Sequence, residues 1–419
     1  MRKSLHVFEQ LSRKNIVILL IMQIPFLFIT LYFFYKSFNI PHVNQTLSTK
    51  PLYPNDTFRV IVSNNDLQDP IDIVYTWVNG SDPLFKKSFL NLSEQYNVHM
   101  DEKSIETKYI DNDELRFSLR SIEKYAIHMI RYIFIVVANN ESQIPTWLDT
   151  RHPKIRIITH RQIFGEFISP ETDQIFNFNS DAIENCITNI PGLSNEFIYF
   201  NDDCYLGRTV QKSDFFDRAG YPKIYVKERS YKNFELQKEI LEMKAKKDFG
   251  ALQFEASLSN TIALFKRRFE SVADFVHVHV AYPSTKALIN ECKENFKDEI
   301  KRTILQPFRT VKDIKMQFIT FQCGMSFNQI EAVDASNDRA RFIVIDNDEQ
   351  LSQLDELARE RPILFCINCD SRSHIQRVKA LLYLWFSKPS SFELRKAKLP
   401  SIDANMIKYW ENQIVKYSL

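Results

Sequence analysis

Glycine is scarce in this chain, with 7 residues among 419, and neither a GxGxxG nor a GxxxxGKS/T pattern occurs. A glycine-rich loop that cradles phosphate is therefore excluded. An excess of one charge is missing too: the formal net charge is +2 and no long Lys/Arg run appears. Nucleic-acid binding thus lacks its electrostatic footing, and no nucleic-acid partner is expected. Cysteine is limited to Cys186, Cys204, Cys292, Cys323, Cys366 and Cys369. Cys366 and Cys369 form one CxxC, with no second CxxC or His pair at zinc spacing, so that spacing reads as a buried or disulfide-bonded pair and not as a zinc site. In an oxidising compartment the six allow up to three disulfides, whose pairing sequence alone does not assign.

Hydrophobic residues make up 44% of the chain and charged ones 25%, with 34 Phe and 17 Tyr. That suffices for one large or two ordinary cores. From Ile16 to Tyr35 the chain is nearly continuously apolar, broken only by Gln23, Pro25 and Thr30. About twenty such residues match a bilayer-spanning helix. Arg2, Lys3, Arg13 and Lys14 precede the run, while only Lys36 follows it before Lys50. The charge bias predicts a cytosolic tail over 1–15, a single transmembrane anchor over 16–38, a luminal stem over 39–69 with Pro41, Pro51 and Pro54, and a luminal catalytic domain over 70–419. Sequons at Asn44, Asn55, Asn79, Asn91 and Asn140 agree with secretory routing.

Within 70–419 short buried strands alternate with helices. Ile71 to Val78, Tyr132 to Ala138, Ile155 to Thr159 and Glu196 to Phe200 read as strands, and Glu114 to Tyr125 sets Leu115, Leu119 and Ile122 on one helical face. Asp181 to Thr188 reads as a helix, as do Phe234 to Lys247, Ala251 to Phe269 and Ala287 to Phe296. Arg341 to Ile367 reads as strand, helix, strand, and two further helices follow it. The pattern predicts an α/β fold, Rossmann-like, with a mainly parallel sheet flanked by helices. Ligands in such sheets sit beyond the carboxyl ends of the strands. Residues just after a strand are thus the candidates: Asn79 and Asp82, Asn139, Asp202 and Asp203.

The FIYF strand running into Asn201-Asp202-Asp203 is the most pointed of these. Adjacent carboxylates at a strand end repel unless a cation or donors compensate, and Mg²⁺ or Mn²⁺ bridging a pyrophosphate would do so. A solvated turn of the same composition is the plainer alternative. In DIVYTWVNGSDP, Asp72, Asn79 and Asp82 are candidates for a bound nucleotide, against an ordinary strand-to-loop junction. DNDELRFSLRS places Asp113 near a helix start and Arg116 and Arg120 on one face, where they could clamp a diphosphate or simply pair with surface acids. His277 and His279 alternate in a short apolar segment, and Arg309 follows Pro307-Phe308 in a loop.

Together these segments resemble the Stealth family of sugar-phosphate transferases, which includes bacterial capsule polymerases and the animal lysosomal-enzyme N-acetylglucosamine-1-phosphotransferase. The similarity lies over about 71–83, 109–208 (DNDELRFSLRSIEKYA through FIYFNDD to Gly207), 254–318 (HVHVAYPSTKALINECKENF) and 365–394 (FCINCDSRSHIQRVKALLYL). By position Asp203, His279 and Arg309 match catalytic residues of the family, with Asp202 and Asp203 at the metal. Asp72, Asn79, Asp82, Asp113 and Arg116 fall at the nucleotide-sugar end. The resemblance implies a UDP-sugar donor, most often UDP-N-acetylglucosamine, a glycan or glycoprotein acceptor, Mg²⁺ or Mn²⁺, release of UMP, and a Golgi-membrane, single-pass type II placement; homodimerisation stays open. Cys369 stands where many relatives carry an acid, and Asp181 where they vary or carry His. A glycosyltransferase that releases UDP and a non-catalytic glycan- or nucleotide-binding relative are the alternatives.

Overall fold

The computed structural model describes residues 70–98, 105, 108–139, 141–167, 177–228, 251–270, 272–336, 338–369 and 374–417, and every structural statement below concerns these. They lie in one compact unit, Pro54–Leu419. The tail, anchor and stem expected over 1–69 and the helix expected over Phe234 to Lys247 lie outside the described residues.

The main sheet has five strands: β1 (Ile71–Thr76), β2 (Ile130–Val137), β3 (Ile155–Thr159), β4 (Glu196–Asn201) and, at one edge, β8 (Tyr282–Thr285). Their order is β3-β2-β1-β4-β8; the first four run parallel and β8 is antiparallel to β4. Alternate residues feed two cores. Ile73, Tyr75, Ile135 and Phe200 pack on one face with Leu115, Leu119 and Ile122 of the Glu114–Tyr125 helix. Val74, Val136, Phe197 and Tyr199 pack on the other with Ala182, Ile289 and Ile319 from three further helices. A sheet covered on both faces needs apolar residues at nearly every position, which is why these strands read as unbroken runs in sequence. Leu115, Leu119 and Ile122 are fully buried, each stabilising the fold by about 1.5–3 kcal/mol.

The strand order carries the functional consequence. After β1 the chain steps outward through β2 and β3, then crosses back to lay β4 on the other side of β1. The connections leaving β1 and β4 therefore diverge, and a crevice opens at their carboxyl ends. Two small sheets build on that edge. One comprises β5 (Cys204–Leu206), β10 (Ala340–Val344) and β11 (Leu364–Asn368), with β11 parallel to β10 and antiparallel to β5. The other comprises β6 (Lys223–Glu228), β7 (Phe275–His277) and β9 (Glu331–Asp334). Because β5 begins at Cys204, directly after β4 ends at Asn201, Asp202 and Asp203 form the corner at which the chain passes from the main sheet to the second.

Cys292 and Cys323 form a disulfide that joins the Lys286–Glu294 and Met316–Phe327 helices. Cys366 is a buried thiol, so it and Cys369 do not form the disulfide allowed by their spacing. The membrane expectation is corrected: among the described residues no helix is long and apolar enough to cross a membrane. The span expected over 16–38 lies outside them, and the single-pass placement has no structural support.

Candidate active site

Two routes bring chemistry to the corner after β4. The β4–β8 register pairs Tyr199 with Tyr282, so three residues further along β4 and three earlier in the β8 approach bring Asp202 level with His279. Asn201 Nδ2 then lies 3.1 Å from His279 Nε2. With the amide nitrogen donating, Nε2 accepts and the neutral ring carries its proton on Nδ1. From the second sheet, the backbone N–H of Ile367 donates to the Asp203 carbonyl at 3.2 Å, fixing the corner against β11. The Asp203 carboxylate, a His279 ring nitrogen and the Cys366 Sγ all lie within 4.8 Å of one another.

The electrostatics of this corner are strained by like charge. Burial, and then the charges of Asp203, Glu114 and Asp111, push the Asp202 carboxyl well above the usual range. Burial raises Asp203 as well, although the neighbouring His279 and the Cys366 thiol work against that rise. Glu114 is pushed up to about 8, first by burial and then by Asp111, despite hydrogen bonds from Asn112. Carboxylates from the 111–114 segment and from the corner thus face one another at a crevice. A hard divalent cation relieves such repulsion, and carboxylate oxygens are the donors that Mg²⁺ or Mn²⁺ takes. The adjacent Asp202 and Asp203 carboxylates suit that metal by donor chemistry, whereas Glu114 accepts from Asn112 Nδ2 at 2.9 Å and is not among the donor atoms gathered within 4.8 Å of one another at the corner. His279 is held below the ordinary histidine range, chiefly by burial and further by the charges of Arg309 and Lys315, which outweigh the opposing pull of Asp203. Its imidazole is therefore neutral near pH 7, with its acceptor nitrogen facing the Asn201 amide.

Glu114 carries a pH prediction. Its pKa of about 8 in the fold compares with about 4.3 in an unfolded chain, so the folded state holds the proton more tightly. The stabilisation is complete below about 4.3 and lost as pH rises to about 8. In cation-free buffer Glu114→Gln should be more stable than the parent at pH 8 and lose that advantage by pH 5, as read by thermal unfolding at both values.

Arg309 enters from the loop before the Met316–Phe327 helix. Its Nη2 donates to Ser180 Oγ at 2.5 Å, and its charge acts on His279, Glu184 and Tyr109. The loop is pinned along its length to the segment around the Ser180–Cys186 helix. Phe178 N–H donates to the Pro307 carbonyl at 2.9 Å, Asn179 Nδ2 to Asp313 at 2.8 Å, Asn185 Nδ2 to the Ile314 carbonyl at 3.1 Å, and Lys315 Nζ to Asp181 at 2.9 Å. Asp181 is the buried partner of a buried lysine.

Other candidates lie elsewhere. Asn79 and Asp82 sit beyond the carboxyl end of β1, at the same edge as the corner. Asp82 caps the Pro83–Gln95 helix by accepting from Leu84 N–H at 2.9 Å, and takes hydrogen bonds from Ser142 at 2.5 Å and Gln143 at 2.8 Å. Burial works to raise its carboxyl, but those bonds hold it below the usual range. Asn79 donates from Nδ2 to the Ser142 carbonyl at 3.1 Å.

Asp72 is not brought to the site. It lies at the opposite end of β1, fully buried, where Arg131 binds it at 2.9 and 2.5 Å and Ser194 N–H donates to it at 2.7 Å. Nor do Arg116 and Arg120 form an open diphosphate clamp. Both are buried on Glu393, Arg116 Nε at 2.6 Å and Arg120 Nε at 2.6 Å. Asp113 is engaged by Lys379 Nζ at 2.7 Å. The i to i+4 arginine spacing was a real signal, but of a buried ion cluster instead of a ligand clamp. Glu393→Ala would leave the buried Arg120 guanidinium without its carboxylate and Arg116 with only Asp113 at 3.8 Å, and should destabilise the fold by about 3–5 kcal/mol in denaturant unfolding.

Sequence reasoning passed over Glu114, Cys366 and Lys315. Glu114 reads as an ordinary first-turn acid, and Cys366 as half of a CxxC; only tertiary structure reveals them, the β5–β11 pairing for Cys366 and the packing of the Glu114–Tyr125 helix for Glu114.

Models of Stealth protein conserved regions 1, 2 and 3 match residues 69–89, 108–224 and 278–322. An exopolysaccharide phosphotransferase of Streptomyces coelicolor is 32% identical over 342 residues, covering 77% of this chain and 51% of that protein. The capsular polysaccharide phosphotransferase SacB of Neisseria meningitidis serogroup A is 28% identical over 340 residues, covering 77% of this chain and 57% of that protein. The chain thus spans about half the length of these curated relatives. Among solved structures, apo mouse xyloside xylosyltransferase 1 aligns over 71% of this chain and 98% of its own at 8% identity, with a TM-score of 0.30, too low for any argument to rest on it. Both curated relatives are bacterial polysaccharide enzymes, and they lend nothing to the Golgi placement. With three successive conserved regions matched, the chain belongs to the Stealth family.

Proposed function

We propose that the chain transfers a sugar 1-phosphate, N-acetylglucosamine 1-phosphate, from a UDP-sugar to a glycan hydroxyl and releases UMP. One observation supports this above the others: Asp203 and His279 meet at the switch point between β1 and β4, with the charge of Arg309 acting on the same imidazole. The acceptor hydroxyl oxygen bonds to the β-phosphorus, the bond from that phosphorus to the bridging oxygen breaks, and UMP leaves with the bridging oxygen. His279, neutral and at the cleft, takes the hydroxyl proton. Arg309 offsets charge on the transferring phosphoryl oxygens. Asp203 orients the imidazole, while Asn79 and Asp82 line the nucleotide end. Mg²⁺ or Mn²⁺, held by Asp202 and Asp203, would neutralise charge on the pyrophosphate.

The test is incubation with UDP-N-acetylglucosamine, a divalent cation and a panel of high-mannose glycans. UMP formed in step with a phosphodiester-linked product is the expected outcome, abolished by a chelator. UDP in place of UMP would favour the glycosyltransferase reading, and donor binding with no turnover across the panel a non-catalytic one.

A further inference from the structure

We propose that the corner holds a second, sulfur-lined cation niche, in which Cys366, Cys204, His279 and Asp203 take Zn²⁺ or another thiophilic divalent ion. The CxxC spacing does not create it; strand pairing does. In the antiparallel β5–β11 ladder Cys204 lies directly opposite Cys366, and directly opposed residues project from the same face of a sheet. Cys366 hydrogen-bonds to both Cys204 and Asp203, Cys204 Sγ lies 3.9 Å from Asp203 Oδ1, and the donor atoms of Asp203, His279 and Cys366 lie within 4.8 Å of one another. A thiol, an imidazole and a carboxylate thus converge from three points of the chain, with the Cys204 thiol alongside Cys366 and Asp203.

The donor set decides which ion belongs here. Sulfur and imidazole suit Zn²⁺ and disfavour Mg²⁺, which prefers carboxylate oxygens such as those of Asp202. A tetrahedral zinc site has bonds of about 2.0–2.3 Å, which places its donors roughly 3.3–3.8 Å apart. Closing the present group by about 1 Å is a side-chain adjustment, since Asp203 and His279 are only half-buried. The thiols bind as thiolates, so each bound ion displaces their protons. Asp203 is shared between the two niches. Filling the sulfur-lined one also ties up His279, so thiophilic ions should inhibit turnover even with Mg²⁺ in excess. That last consequence rests on the proposed function; the binding itself does not.

Titrating Co²⁺ into the full chain, with a phosphine reductant and neither nucleotide nor glycan present, tests the niche directly. A thiolate-to-cobalt charge-transfer band saturating at about one ion per chain and displaced by Zn²⁺ is expected. Cys366→Ser should abolish the band and weaken Zn²⁺ binding at least ~100-fold, one of four ligands being lost. Cys204→Ser should weaken the band, and Cys369→Ser should leave it as in the parent. Circular dichroism checks the fold, and His279→Gln, which keeps both thiols, should still lower Zn²⁺ affinity if a cysteine variant fails to fold. No thiolate band at saturating Co²⁺, unchanged Zn²⁺ affinity in Cys366→Ser and His279→Gln, or loss of the band in Cys369→Ser would each overturn the proposal. UMP release is not part of the readout, so the niche and the proposed reaction succeed or fail separately.

Discussion

Asp203→Asn should lower turnover by at least ~1,000-fold while leaving the protein as stable as the parent, or more so. The substitution removes a carboxylate that would share the cation with Asp202 and orient His279, and groups that stabilise a transferring phosphoryl are worth about 100- to 1,000-fold each. The stability half follows from the cost of charge. Burial raises the Asp203 carboxyl, and the charge of Asp203 raises Asp202 in turn. In cation-free buffer at pH 7 an amide of the same shape relieves that repulsion. A melting temperature equal to or above the parent's, with turnover nearly lost, is the signature of a residue kept for chemistry at the expense of stability. A melting temperature several degrees lower would instead mark Asp203 as a structural residue.

Arg309→Ala should lower turnover by ~100-fold or more, and Arg309→Lys should recover only part of it. A lysine keeps the positive charge but loses the planar fork that can engage two phosphoryl oxygens. Because Arg309 is half-buried and tied to Ser180 through Nη2, its removal leaves Ser180 able to meet water and should change stability little. His279→Ala should match Arg309→Ala in size while removing the proton acceptor instead of the phosphoryl contact. The two are separable by the donor. Arg309→Ala should weaken UDP-sugar binding measured by calorimetry, whereas His279→Ala should leave it near the parent's value. Equal donor affinity in all three proteins, or near-normal turnover in both variants, would remove the assigned roles.

The main sheet was legible because its strands are buried on both faces. Ile155–Thr159 reads as a strand and is one over the same residues, and the Glu114–Tyr125 helix follows from Leu115, Leu119 and Ile122. The short strands around the site were not. Cys204–Leu206 and Phe275–His277 are three residues each, too brief for any period to declare itself. The Pro83–Gln95 helix went unread, although Phe85 and Phe89 lie four apart on its buried face and Asp82 at the cap and Pro83 at the first position are ordinary start signals. At the site, adjacency along the chain exposed Asp202 and Asp203, since two acids ending an apolar strand need a reason. Arg116 and Arg120 misled because the same spacing serves a ligand clamp and a buried acid alike, and the acid, Glu393, lies more than 270 residues away. Cys204 and Cys366 became partners only through a ladder between strands with no local relation in sequence.

A donor labelled in its β-phosphate tests the central assignment most directly. If Asp203, His279 and Arg309 act on a diphosphate held at the corner, the label passes into the glycan product and the nucleotide released is unlabelled UMP. Label leaving in UDP, with an unlabelled sugar on the acceptor, would contradict phosphoryl transfer at this site.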